Sequence, residues 1–263
     1  MCSLFDHIPT ECPLCRQRAR GGLLCEGCLA DLDAIERGRA VPRCRRCGLS
    51  PLSPLAPCWT CERTPPPFCE VIVAMPYEWP YEVLVAQLKR EHKLWMARTL
   101  GHLLARAVTA SLAGADVRAS LPGRPVQRDR ASLDAAPRFK LPSPASLPGL
   151  IVPVPAARTS LLRRGFNPAG EIARALGARL SLPVQAEALC RVREASKQSG
   201  LRRQARLRAV AGAFEVSAEV RGRHVAVVDD VMTTGATSTA IGHALLAAGV
   251  SAVTVWAVAR RAR

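Results

Sequence analysis

Residues 225–237 constrain this chain more than any other segment. They read Val-Ala-Val-Val-Asp-Asp-Val-Met-Thr-Thr-Gly-Ala-Thr. A four-residue apolar run of strand type meets two adjacent acids, then a short Thr/Gly turn. An apolar-periodic stretch over residues 240–248 follows and predicts a helix, which Gly249 stops as a left-handed C-terminal cap. Residues 251–259 read as the next strand, so the segment predicts a βαβ unit. Adjacent carboxylates repel each other, so Asp229 and Asp230 at the mouth of a buried strand need something to hold. Thr233, Thr234, Gly235, Ala236 and Thr237 offer hydroxyls and backbone N–H groups at a helix N-terminus, where aligned peptide dipoles favour an anion. Acids for the hydroxyls of a sugar, beside a cradle for its phosphate, describe a site for a ribose 5-phosphate. The plainer alternative is an acidic turn capping a helix in some other α/β protein.

The second constraint is cysteine spacing. Eight of the eleven cysteines form four Cys-x-x-Cys pairs, Cys12/Cys15, Cys25/Cys28, Cys44/Cys47 and Cys58/Cys61. Each pair sets two thiolates on one knuckle, and two knuckles complete a tetrahedral zinc shell. The segment is too short and too poor in apolar residues for a core of its own, and two structural zinc ions would supply the missing folding energy. Sequential pairing of knuckles is favoured because its loops are short; a site built from the two middle pairs is the alternative. Cys2, Cys69 and Cys190 fall outside the pattern and read as packing or surface residues.

These two features organise the chain. Residues 1–64 form the cysteine module, and Pro65 to Pro67 mark a boundary. Residues 65–112 begin the main domain with a strand over 70–75 and helices over 81–90 and 94–112. Residues 113–148 dissolve into Pro, Ala, Ser and Arg and read as a flexible insertion. Residues 149–263 carry the core, with a strand at 151–155, a helix from Pro168 to about Leu180 capped by Asn167, and the acidic signature. Between strand and helix, a loop holding Arg158, Arg163 and Arg164 lies where a diphosphate would be met, with a plain exposed basic loop as the alternative for each arginine. Residues 191–208 hold seven basic residues and one acid, in keeping with a mobile cationic hood, with an exposed basic face that tracks single-stranded nucleic acid, or with plain solvated surface.

The net charge is +16, and residues 151–263 contribute most of it, with seventeen basic against seven acidic residues. Such an excess suits pyrophosphate, a nucleic-acid backbone, or both. Aromatic residues make up only 4% of the chain, which weighs against recognition by base stacking. No apolar stretch approaches the length of a membrane span, so no membrane insertion is expected. The N-terminus lacks the basic start and apolar run of a secretory signal, and a cytoplasmic location is the expectation.

Tandem Cys-x-x-Cys pairs, then Val-Pro-Val-Pro at 152–155, Arg-Arg-Gly-Phe-Asn at 163–167 and the Asp-Asp signature together resemble the ComF/GntX family, which is amidophosphoribosyltransferase-like and associated with competence. Gln198-Ser-Gly-Leu, Arg206 and Gly212-Ala-Phe resemble its flexible-loop pattern, whereas Pro168 and Ala209 replace the Gln and Asn usual there. The resemblance implies an α/β fold, a type I phosphoribosyltransferase-like core with a parallel sheet, plus a small N-terminal double zinc ribbon. It implies phosphoribosyl pyrophosphate (PRPP) as ligand, bound with Mg²⁺. Asp229 and Asp230 would then take the ribose, residues 233–237 the 5-phosphate, and Arg158, Arg163, Arg164, Gln198 and Arg206 the pyrophosphate side. It also implies a role in natural competence and DNA uptake, with single-stranded DNA and competence proteins as candidate partners and a homodimer as a candidate assembly.

Two functional readings stand side by side. In one, the protein is a phosphoribosyltransferase, with no residue readable as a general base and no readable acceptor; the N-terminus carries no glutaminase. In the other, it is a non-catalytic accessory that binds single-stranded DNA or protein and keeps the PRPP site as a sensor or relic.

Overall fold

The apolar runs of the main domain do become strands, and they assemble into one parallel sheet. The structure, a computed structural model, describes residues 7–38, 43–50, 58–119, 147–192 and 212–261. Strands β3 (Glu70–Pro76), β4 (Leu150–Pro153), β7 (His224–Met232) and β8 (Ala252–Arg260) lie in the order β3-β8-β7-β4. All three pairings are parallel. Alternate residues point to opposite faces, so both faces must be covered. On one face Ile72, Ile151, Ala226, Val228 and Trp256 pack against Leu100 and Leu104 of α4 (Met96–Ala119) and Ile172 and Leu176 of α6 (Pro168–Leu180). On the other, Val152, Val225, Val227, Val253 and Val255 pack against Ile241 and Leu245 of α7 (Ala236–Ala247).

The helices α4 and α6 cross closely. A Cβ on Gly101 would lie 2.9 Å from that of Ala175 and 3.1 Å from the backbone nitrogen of Leu176. Helix α3 (Glu82–Lys89) completes that layer with Leu84, Val85 and Leu88 fully buried, each such side chain contributing about 1.5–3 kcal/mol. A short antiparallel pair, β5 (Leu189–Arg191) with β6 (Phe214–Val216), packs Leu189 and Phe214 into the opposite layer.

The cysteine module precedes the sheet. Strands β1 (Pro9–Glu11) and β2 (Arg18–Arg20) form a hairpin, and helix α1 (Glu26–Arg37) follows. Helix α2 (Trp59–Arg63) leads into β3. Leu24 and Leu32 are buried in the same cluster as α3 and α4, so the hairpin and α1 share the main core.

The βαβ unit forms as the sequence predicts, and Gly249 follows the helix at φ +86°. Helix α7 starts earlier than its apolar period suggests, at Ala236. One local expectation is corrected. Residues 158–164, read as a loop, form a helix, α5 (Arg158–Arg164), ended by Gly165 at φ +78°. The segment contains no internal Gly or Pro and is made largely of helix formers, but none of its residues is buried, so it carries no apolar stripe to reveal it. Asn167 sits at the N-cap of α6, yet its side chain donates from Nδ2 to the Val154 carbonyl at 3.0 Å instead of capping. The flexible-loop candidates Gln198 and Arg206 and most of the 113–148 insertion lie outside the described residues.

Candidate functional site at the C-terminal edge of the sheet

Parallel strands bring their C-terminal ends to one edge, where the loops of an open α/β sheet meet. β7 carries the acids there. It runs through Asp229 and Asp230 to Met232, so both carboxylates project from regular strand and both are buried, at 9% exposure. One Asp230 carboxylate oxygen accepts from the backbone N–H of Val231 at 2.6 Å, and the other is 2.8 Å from the Lys89 ammonium. Burial, and after it the neighbouring Asp230 charge, push the Asp229 carboxyl up to about 8; Lys89 offsets this only in part. Burial and the adjoining charge thus favour the protonated form of Asp229. A cation bound beside the pair would displace that proton, and the carboxylates so formed accept from hydroxyl groups.

Lys89 escaped the sequence reading. At the end of α3 it looks like the ordinary cation of a last helical turn. Only the packing of α3 beside the strand ends turns it toward Asp230. A related contact joins the α3–α4 connection to the Arg-Arg-Gly-Phe-Asn segment: the rings of His92 and Phe166 meet edge to face, 5.9 Å between centroids.

The turn after β7 is built for close approach. Gly235 sits at φ +79°, a conformation that favours glycine, and a Cβ there would lie 3.0 Å from the Met232 methyl. The Thr234 hydroxyl accepts from the Ala236 N–H at 3.4 Å. No side chain caps α7 at Gly235 and its first turn holds no acid, so N–H groups of that turn remain for an outside partner. The Ser238 hydroxyl in the same turn is buried and has no partner among the described residues. Thr233 is exposed and Thr234 and Thr237 partly so. The chemistry of this donor set fits a phosphate.

Helix α5 follows the C-terminal end of β4 at the same edge. Arg158 and Arg163 are exposed and Arg164 half-buried, and among the described residues no ion pair holds any of them. The structure thus brings Asp229, Asp230 and residues 233–237 together and leaves Arg158 and Arg163 solvated at the same edge, with Arg164 half-buried.

The cysteines group as the short-loop pairing anticipates. The sulfurs of Cys12, Cys15, Cys25 and Cys28 lie within 4.8 Å of one another, as do those of Cys44, Cys47, Cys58 and Cys61. Cys12 and Cys15 lie in the connection between β1 and β2, while Cys25 is the N-cap of α1 and accepts from the Cys28 N–H at 3.5 Å. Zn–S bonds of 2.3 Å in a tetrahedron place sulfurs roughly 3.8 Å apart. The separations here include 3.5 Å for Cys15–Cys25, 3.5 Å for Cys47–Cys58 and 3.9 Å for Cys44–Cys61.

The thiols themselves argue for a cation. Burial alone would raise the Cys12 thiol, but backbone N–H donors bring it down to about 7. The Cys61 thiol, donating to Cys47, holds Cys47 at about 5. Their neighbours go the other way: burial, then the adjoining sulfurs, raise Cys28, and the Cys47 thiolate raises Cys61. Each cluster thus ionises in part on its own, and both could bind zinc as full thiolate shells.

Comparison with known proteins agrees with this geometry. Residues 160–263 match the family described as phosphoribosyl transferase domain. Competence protein F of Haemophilus influenzae is 29% identical over 98% of this chain and 100% of its own length. DNA utilization protein YhgH of Escherichia coli K12 is 29% identical over 96% of this chain and 98% of its own. The Salmonella typhi protein of that name reaches 30% over the same shares. Among the described residues no helix is long and apolar enough to cross a membrane. A parallel sheet carrying the acidic signature, two four-cysteine clusters and full-length similarity to these proteins lead to one conclusion: the chain belongs to the ComF family of phosphoribosyltransferase-like proteins.

Proposed function

We propose that this protein binds PRPP at the C-terminal edge of its sheet and serves natural competence and DNA uptake as a phosphoribosyltransferase-like protein. The observation that carries the reading is the buried Asp229–Asp230 pair, set one short turn before an uncapped helix N-terminus. Asp229 and Asp230 hold the ribose hydroxyls. Residues 233–237 hold the 5-phosphate through backbone N–H groups and threonine hydroxyls. Arg158, Arg163 and Arg164 attract the pyrophosphate from solvent, and Gln198 and Arg206 are further candidates for the pyrophosphate side. Lys89, already beside Asp230, adds a cation where negative charge accumulates. Mg²⁺ bound with the ligand would supply further neutralisation of the diphosphate. Positioning and charge compensation are the chemistry such a site offers.

The competence role is supported by the names of the full-length relatives, competence protein F and DNA utilization protein YhgH. Two zinc ions fold the cysteine module, and the positive charge of residues 151–263 suits a single-stranded DNA backbone. Calorimetric titration of PRPP with Mg²⁺ into zinc-loaded wild type and into an Asp229→Ala/Asp230→Ala variant tests the site. Micromolar binding by wild type, lost in the variant, is expected. No binding by folded, zinc-loaded wild type would refute it.

A further inference from the structure

Arg260 closes β8 with only 3% of its surface exposed. A guanidinium in such a place must be held by acceptors. Its Nη1 donates to the Met232 carbonyl at 2.8 Å and to the Thr233 carbonyl, the two residues at which β7 gives way to the Thr/Gly turn. Its Nε donates in another direction, to the carbonyl of Cys47 at 3.1 Å. One rigid, planar group therefore ties the turn of the sugar-phosphate site to a knuckle of the second cysteine cluster.

The knuckle lies tightly against the sheet. The Val71 N–H donates to the Arg45 carbonyl at 2.6 Å. Gly48, at φ +71°, has room for no side chain: a Cβ would fall 3.0 Å from both Val71 and Val73 and 3.6 Å from Arg260 Cδ. The Arg45 guanidinium pairs with Glu70 at 2.5 Å. The first cluster docks elsewhere. Its segment meets α3 and α4, through Gln87 Nε2 to the Pro13 carbonyl at 3.3 Å and Thr99 Oγ1 to the Gly22 carbonyl at 2.5 Å.

We propose that Arg260 is a positioning residue for the phosphate-binding turn, and that through it metal at the second cluster, and not at the first, holds that turn in shape. The inference rests on the PRPP reading for its ligand but not for its mechanics. Metal pins the Cys44–Cys47 turn and with it the Cys47 carbonyl. Without metal the carbonyl moves, the guanidinium loses a fixed acceptor, and the carbonyls of Met232 and Thr233 lose the donor that orients them. The N–H groups that follow then lose preorganisation.

The test combines hydrogen exchange with PRPP titration on the full-length protein, with zinc content measured on every sample. Cys58→Ser/Cys61→Ser empties the second cluster, Cys25→Ser/Cys28→Ser the first, and Arg260→Lys keeps the charge but removes the fork. In wild-type background, emptying the second cluster should speed amide exchange over residues 233–237 at least tenfold and weaken PRPP about tenfold. Emptying the first should change neither by more than twofold. In the Arg260→Lys background exchange should already be fast, and emptying the second cluster should add less than threefold.

Equal effects from the two clusters, unchanged exchange at the turn, or effects that multiply fully with Arg260→Lys would overturn the proposal. Protection of residues 225–228 in the sheet interior is the folding check. If the second-cluster variant loses it, chelator titration of wild type against Arg260→Lys tests with no cysteine replaced whether metal acts through Arg260, and chelation of the Cys25→Ser/Cys28→Ser variant, whose first cluster is already empty, isolates the second cluster. A turn that responds to metal in a protein that binds no PRPP would uphold the coupling and refute the ligand.

Discussion

Replacing Asp229 by Asn should flatten the dependence of stability on pH. In the folded protein, burial and the Asp230 charge raise the Asp229 carboxyl to about 8; in an unfolded chain an aspartate titrates near 3.9. Between those values the native state holds a proton that the unfolded state has released, so stability must fall as pH rises. The contribution is fully present below about pH 4, declines by up to about 1.4 kcal/mol per pH unit, and levels off above about pH 8. Asn keeps the shape and can still donate to Asp230, but it has no proton to lose. From pH 6 to pH 8 wild type should therefore lose about 2 kcal/mol more than Asp229→Asn, or roughly 4–8 °C in Tm at this chain length. Urea unfolding of both proteins at fixed zinc across pH 5.5–8.5 reads the difference, in which the cysteines and histidines cancel. Parallel curves between pH 6 and 8 would refute the reasoning, as would wild type gaining on the variant as pH rises.

Two further outcomes follow from the geometry. Purified protein should carry zinc at both clusters, and a strong chelator should expose residues 7–38, 43–50 and 58–63 to limited proteolysis while β7 and β8 stay protected. Gly235→Ala should cost about 1–3 kcal/mol in urea unfolding, because alanine is strained at φ +79° and its Cβ would press on the Met232 methyl; the same change should weaken PRPP by at least tenfold.

How much of this was legible beforehand varied with the range of the interaction. The βαβ unit could be read because apolar strand, acids, glycine turn and helix follow one another in about thirty-five residues. Gly235 and Gly249 mark positive-φ positions that glycine is suited to occupy. The cysteine knuckles were equally plain, since Cys-x-x-Cys spacing presents two sulfurs on one turn wherever it occurs. Helix α5 was not legible, because it buries nothing and so shows no periodicity. Asn167 had the right identity for a cap, yet the Val154 carbonyl across the strand end claims its side chain.

What the sequence determined by itself was therefore local: which residues are acids, phosphate cradle and metal knuckles. The tertiary structure decided which distant groups face them. Lys89 reaches Asp230 only because α3 packs beside the strand ends, across 141 residues of chain. Arg260 joins Cys47 to Met232 and Thr233 only because β8 lies beside both β3 and β7. Spacing along a chain encodes turns, caps and knuckles because their partners are covalent near-neighbours. It cannot encode a buried cation's acceptors, since those are chosen by sheet order and helix packing after the whole core has closed.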